Sequence, residues 1–239
     1  MPIFEFNLPK GLSRVLGLPT KSPRTSQMRV LKKLLKTAQY TSFGQKFKFG
    51  EILKHRHIGK NFQESVPTYN YNKIYKDWWH LTLEGQSDIC WPGKINYFAL
   101  SSGTSEAASK YIPITNDLLR GNKIIMIKQL ISLFKYREIP LSAIGKGWLT
   151  LGGSTDLQKG AGYYAGDLSG ITAKKSPFWF QPFYKPGKKI AKERDWNKKL
   201  KEIVEKAPEW DISFVVGVPA WIQMCLEMVI ERYKLNNIH

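Results

Sequence analysis

The residue types best suited to chemistry fall in one short run. Phe98-Ala99-Leu100 leads into Ser101-Ser102-Gly103-Thr104-Ser105, and Lys110 follows just before the apolar Tyr111-Ile112-Pro113. Glycine lets the backbone turn tightly and present its N–H groups, while Ser and Thr hydroxyls add rotatable donors. A loop so equipped suits an anionic ligand with many acceptor oxygens, a phosphate chain above all. An ordinary surface turn has the same composition. The spacing of a Walker loop is absent around Gly103. Two further turns follow apolar runs: Gly152-Gly153-Ser154, and Val218-Pro219 at a place where α/β folds often bind ligands. Gly152-Gly153 also reads as a plain strand-end turn, and Pro219 as a plain first-turn proline. Tyr163, Tyr164 and Asp167 are candidates to shape a pocket, with core packing the competing role for the tyrosines. His55 and His57 lie beside Lys54 and Arg56, a poor setting for a cation. No G-x-S-x-G nucleophile elbow occurs.

The elements that must position these residues follow from periodicity. Residues 1–25 read as an irregular lead-in rich in Gly and Pro. Met28, Leu31, Leu34, Leu35 and Ala38 recur at helical spacing opposite Lys32, Lys33 and Lys36, which predicts a helix over 26–40. Short helices are expected at 50–55 and 61–66, and a longer one over 71–83 that turns Trp78 or Trp79 inward. Residues 88–91 and 96–100 read as strands flanking Pro92-Gly93. A strand over 111–115 leads into a helix reaching residue 134, capped by Thr115 or Asn116. A strand is expected at 148–151, a loop over 160–170 and an amphipathic helix over 196–207. Residues 212–216 read as the best buried strand, followed by a deeply packed helix over 220–233. Strands alternating with helices indicate an α/β architecture.

Composition sets the outer bounds. The 239 residues are 42% hydrophobic, with eight Trp, eleven Tyr and twelve Phe, so the chain can build a core and is not intrinsically disordered. Cys90 and Cys225 read as free thiols of a reducing compartment, and with no secretory signal and no membrane-length apolar run the expected location is cytoplasmic. The net charge of +18 is spread along the chain. In the richest stretch, 185–206, Glu193, Asp195, Glu202 and Glu205 interleave with the lysines, as on a solvated helical face. Nucleic acid is not an expected partner, since no recognition signature accompanies the charge. The alternative reading is a basic, non-catalytic protein that keeps the fold and binds nucleic acid or another polyanion.

Nine segments in consistent order resemble one family. They are Thr41-Ser42-Phe43-Gly44, Val66-Pro67 with Tyr71, Gly85 with Trp91-Pro92-Gly93, Phe98 to Ser105, Lys110 to Pro113, Leu151 to Ser154, Tyr164 to Leu168, Pro177-Phe178-Trp179, and Gly217 to Trp221. Together they are similar to the auxin-responsive-promoter type of acyl acid–amido synthetase, a branch of the firefly-luciferase-like adenylate-forming enzymes. The resemblance implies an α/β fold with mixed sheets and packed helices, the large N-terminal domain of that group. It implies ATP-dependent adenylation of a carboxylic acid and transfer of the acyl group to an amino acid, with ATP and Mg²⁺ as cofactors. By position, the phosphate-contacting loop falls on Ser101, Ser102, Gly103, Thr104 and Ser105, with Lys110 at its far end. Gly152, Gly153, Ser154, Tyr164, Val218 and Pro219 fall in the substrate pocket. No residue is assigned as catalytic or as a metal ligand. Glu106 stands where the wider group has a second glycine. The expectation is further that residues 1–239 are the N-terminal part of the large domain, without the acidic second nucleotide motif, the ribose-binding aspartate or the mobile C-terminal domain, and are impaired in activity on their own.

Overall fold

The structure, a computed structural model, describes residues 22–101, 110–133 and 140–236. Two compact units divide the chain. The first takes residues 1–95 and 115–136, the second 96–114 and 137–239.

The first unit is helical where described. Ser22 caps α1 (Pro23–Ala38), accepting from the Thr25 N–H at 3.2 Å, and Pro23 occupies a first-turn position that needs no donor. Of the predicted apolar stripe, Leu35 and Ala38 are buried with Phe49, Ile52 and Ile58 and Leu31 packs against them, whereas Leu34 is exposed. Beyond the short α2 (Ser42–Lys46), Phe49 and Ile52 sit on α3 (Phe49–Ile52) and Ile58 opens α4 (Ile58–Ser65). Thr41 is buried and caps α2, its hydroxyl taking the Gly44 N–H at 3.1 Å. The helix expected over 71–83 forms as α5 (Tyr71–Ile74), a π-helical turn (Tyr75–Trp79) and α6 (His80–Leu83). The π-turn carries Trp78, whose indole N–H donates to the Tyr69 hydroxyl at 3.2 Å and whose ring lies 5.1 Å from that of Phe43.

Residues 88–91 are not a strand. Asp88 adopts φ 58°, which breaks extension, and its carboxylate accepts from the Gly93 N–H at 2.8 Å. The carbonyls of Asp88 and Ile89 accept from the N–H groups of Ser42 and Phe43, so the segment supplies acceptors to the start of α2. Helix α7 (Asn116–Leu133) begins under the Thr115 hydroxyl, which accepts from the Leu118 N–H at 3.0 Å.

The second unit holds two sheets. In the first, β1 (Tyr97–Leu100) pairs antiparallel with β2 (Tyr111–Ile114) and parallel with β5 (Tyr164–Gly166); β4 (Gln158–Lys159) extends the sheet beside β5. The loop expected over 160–170 therefore contains β5 and the start of α8 (Leu168–Lys174). Three residues, the last of them Gly166, carry too little alternation to show in the sequence; Ala165 is buried where it pairs with Phe98. In the second sheet, β3 (Gly147–Leu151) runs parallel between β6 (Tyr184–Lys185) and β7 (Ile212–Gly217). Its core joins Leu149 and Leu151 to Ile190 of α9 (Lys188–Ala191), to Leu200, Ile203 and Val204 of α10 (Trp196–Lys206), and to Cys225 of α11 (Pro219–Tyr233).

The expectation of deep burial at the chain's last strand and helix is corrected. Among the described residues strand β7 is an edge of its sheet, Val216 is 50% exposed, and in α11 only Cys225 is buried, with Met224 and Ile230 open. An unbroken apolar run signals residues able to be buried on both sides, not that both sides are covered. No described helix is long and apolar enough to cross a membrane.

Two predictions follow from this packing. Val216→Lys, at an exposed edge position, is expected to change unfolding free energy by less than about 0.5 kcal/mol while reducing self-association in sedimentation, since charge blunts an open edge. Burial pushes the Cys225 thiol up to about 11 and the Cys90 thiol up to about 12, from 9.0, the latter partly offset by a hydrogen bond with Trp79. The folded state then keeps protons that the unfolded chain releases from pH 9 upward, so the stability these thiols contribute is full below pH 9 and is lost as pH rises toward 11. Urea titrations between pH 8 and about 10.5 should show a falling midpoint, with a shallower fall in Cys225→Ala; parallel slopes would remove the thiol as the cause.

Candidate functional site

The site is built at the carboxyl end of β3. Leu151 is buried, and Gly152 and Gly153 then carry the chain out of the sheet. A side chain at Gly153 would collide with the Asp167 carboxylate, and one at Gly152 would press Ser169 at 3.1 Å. The Gly153 N–H donates to the Ser169 hydroxyl at 2.8 Å, tying this turn to the first turn of α8. Gly170 is equally constrained, because a Cβ there would run into the Ser154 carbonyl oxygen. Close approach of backbone to helix is thus the reason for the glycines, in keeping with the turn reading.

Around this turn lies a cavity of about 420 Å³, within the second unit. Its lining includes Ser101 and Leu100 from the end of β1, Gly153 and Ser154, and Ala165, Gly166 and Asp167 from β5 onward. Asp156 and Arg194 form part of the same wall, as do Trp196 and Lys199 of α10 and Trp221 of α11. The two indoles face each other at 4.4 Å between centroids, tilted by 35°.

Charge in the wall is organised. Arg194 Nε lies 2.9 Å from the Asp156 carboxylate and 3.3 Å from its carbonyl oxygen, so that cation is matched. Lys199 differs: it is 3% exposed, and its Nζ donates to the Gly152 carbonyl at 3.2 Å. Burial pulls its pKa below the usual value, with Asp167 and Glu193 opposing that effect through their charge. Ser154 donates its hydroxyl to the Lys192 carbonyl at 2.7 Å and accepts from the Asp156 N–H at 3.0 Å, which pins the turn beyond Gly153.

The hydroxyl-rich loop springs from a hairpin. The Ser101 N–H donates to the Lys110 carbonyl at 3.1 Å, and the Lys110 N–H donates to the Ser101 hydroxyl at 3.3 Å. Both ends of the loop are thereby fixed at the ends of β1 and β2. Ser102, Gly103, Thr104 and Ser105 lie outside the described residues, as does Glu106.

Of the residues singled out by sequence, Ser101, Gly153, Ser154 and Asp167 come together around the cavity, with Gly152 supplying the carbonyl behind it. Lys110 is exposed at the hairpin end and is not part of this lining. Nor are Tyr164, Val218 and Pro219. Tyr164 stacks on Tyr97 at 5.7 Å under the Lys174 ammonium, and Val218 is 49% exposed. Tyr163 packs edge-on against Phe98 at 5.2 Å, the core role weighed for it. His55 and His57 are exposed, and no metal-holding group of three His, Cys, Asp or Glu exists among the described residues.

Sequence reasoning missed Asp156, Arg194, Trp196 and Lys199. One signal was available for the lysine. Trp196, Lys199, Leu200, Ile203 and Val204 share one stripe of α10, so a lysine occupies an apolar-face position.

Gly170→Ala is expected to destabilise the protein by about 1–3 kcal/mol in urea unfolding, because the methyl group must push α8 away from the Ser154 turn. A neutral result would show that this contact yields without strain.

Comparison with solved structures places the fold. One described as GH3.15 acyl acid amido synthetase superposes with a TM-score of 0.69 at 18% identity, covering 98% of this chain and 41% of its own. Another, described as AtGH3.15 acyl acid amido synthetase in complex with 2,4-DB, gives a TM-score of 0.65 at 17% identity, covering 98% of this chain and 40% of its own. The chain thus spans about two-fifths of the length of these proteins. Comparison of the sequence with curated proteins returned no match. The mixed α/β architecture corresponds to the N-terminal part of those structures, as the sequence resemblance implied. Residues 14–202 match the model of the GH3 family N-terminal domain, and the chain belongs to that family.

Proposed function

We propose that this chain is the phosphate-loop part of an ATP-dependent acyl acid amido synthetase. The carboxylate of an acid attacks the α-phosphorus of ATP and pyrophosphate leaves; the amine of an amino acid then attacks the acyl carbon and AMP leaves. The observation that carries this reading is the convergence of Ser101, the first residue of the hydroxyl loop, with the Gly153-Ser154 turn, Arg194 and Lys199 around one cavity. Membership of the GH3 family supports it, as does a fold shared with two solved structures described as GH3.15 acyl acid amido synthetase, one of them in complex with 2,4-DB.

A carboxylate and a triphosphate repel each other, so their reaction needs donors aimed at the oxygens where negative charge gathers. Ser101 already lines the cavity, and its hydroxyl is held in the hairpin by the Lys110 N–H. We assign Ser102, Gly103, Thr104 and Ser105 to the phosphate oxygens, with Lys110 at the far end of the same loop. Mg²⁺ is commonly held by substrate phosphates with only one or two carboxylates, and we assign it that role. Gly152, Gly153 and Ser154 shape the acid's side of the site. Tyr164, Val218 and Pro219 take no part in that cavity.

Exchange of labelled pyrophosphate into ATP, dependent on an added acid such as 2,4-DB, tests the reading. Ser102→Ala or Thr104→Ala is expected to slow exchange by about tenfold to a hundredfold, the range for losing a transition-state donor. Wild-type exchange in both variants would remove the loop from the reaction. Because the chain spans 41% of such a synthetase, slow amide formation by these 239 residues alone is expected; rapid turnover by them would overturn that part.

A further inference from the structure

Two buried donors in the cavity wall lack the acceptors their burial demands. Lys199 is a 3% exposed residue whose ammonium carries three N–H bonds, and among the described residues one of them is answered, by the Gly152 carbonyl at 3.2 Å. Among the described residues no carboxylate lies within ion-pair distance of it. The indole N–H of Trp196, one helical turn earlier on α10, is buried and has no acceptor among the described residues. Both residues line the same cavity. A buried charge or donor left unanswered is costly, and proteins keep such groups where a ligand completes them.

The neighbouring cation does not share this property. Arg194 is neutralised by Asp156 at 2.9 Å, and Lys198 by Glu193 at 2.7 Å. Lys199 is therefore the cavity's unmatched positive charge, while Trp196 and Trp221 provide an apolar surface next to it. The Asp167 carboxylate also lines the cavity and acts on Lys199 through its charge, so it competes with an anion without replacing one.

We propose that Lys199 and Trp196 form the oxyanion site for the acid substrate: the Lys199 Nζ and the Trp196 indole N–H donate to its carboxylate, and its apolar body lies along the Trp196–Trp221 pair. This rests on the reading that an acid is a substrate of the cavity. The site is assembled from α10, β3 and α11, and lies apart in sequence from the hydroxyl loop assigned to the phosphates. A carboxylate held on Lys199 would stand on the Gly152 side of the cavity, with Ser101 elsewhere in its wall.

The test is a tryptophan-fluorescence titration of the 239-residue protein with 2,4-DB, in one arm alone and in a second arm with ATP as the varied ligand. Lys199→Met is expected to weaken 2,4-DB binding by about tenfold or more, as loss of a charge-assisted hydrogen bond implies. Trp196→Phe keeps a ring and removes the donor, and is expected to weaken it by about three- to tenfold. Both should retain ATP binding within about twofold of wild type, and both should retain the wild-type circular dichroism spectrum. Lys199→Arg keeps the charge and should recover part of the lost affinity if the folded protein accepts the larger group. Equal 2,4-DB affinity in wild type and Lys199→Met overturns the proposal. So does a loss confined to the ATP arm, which would make the site one for phosphate. An absence of 2,4-DB binding to the wild type overturns it as well. Failure of acid-dependent pyrophosphate exchange by the chain joined to the rest of such a synthetase, with these binding effects intact, would instead remove the synthetase reading and leave a carboxylate site standing.

Discussion

Strand β3 reaches its carboxyl end with Leu151 buried and the next two positions bare of side chains, and the site occupies the space that this leaves. The strand is flanked on both sides by parallel neighbours, so its direction and depth are fixed by backbone hydrogen bonds before any side chain is considered. The Gly152-Gly153 turn passes close to α8: a Cβ at Gly153 would collide with Asp167, one at Gly152 would press Ser169, and one at Gly170 would run into the Ser154 carbonyl. Each cavity wall refers back to this turn. Lys199 holds its carbonyl, Ser169 holds its N–H, and Ser154 ties the chain beyond it to Lys192.

The cost of such a site is the burial of polar groups. Most of the second unit's core is conventional, with Leu149, Leu151, Leu200, Ile203 and Val204 packed around the sheet. Lys199 interrupts that pattern from within the apolar stripe of α10. A methionine would pack there without desolvating an ammonium, so the lysine is hard to explain as a contribution to stability. Its value is better sought in what it presents to the cavity. By contrast Arg194 and Lys198 are exposed and paired with carboxylates, as interleaved charge predicts.

Much of the fold was legible because periodicity is a local property. The stripe of Leu31, Leu35 and Ala38 located α1, the run from Asn116 located α7, and the amphipathic pattern after Asp195 located α10. Three misreadings share a cause. Residues 88–91 have strand-like composition but serve as acceptors for the start of α2, β5 is too short to display alternation, and the apolar run of β7 lies at an edge. In each case the deciding partner is remote in sequence, so no window around the segment contains it.

The same division holds for the site. The sequence by itself determined the family, the hydroxyl-rich loop between two short strands, and the glycine turn after β3, because these depend on residue type and order within a few positions. Only the tertiary structure decided that Ser101 and Ser154 border one cavity while Tyr164, Val218 and Pro219 do not. It alone picked out Lys199 from the chain's 37 basic residues. A lysine's chemistry is set by what surrounds its ammonium, and here the decisive neighbour, the Gly152 carbonyl, lies 47 positions earlier in the chain.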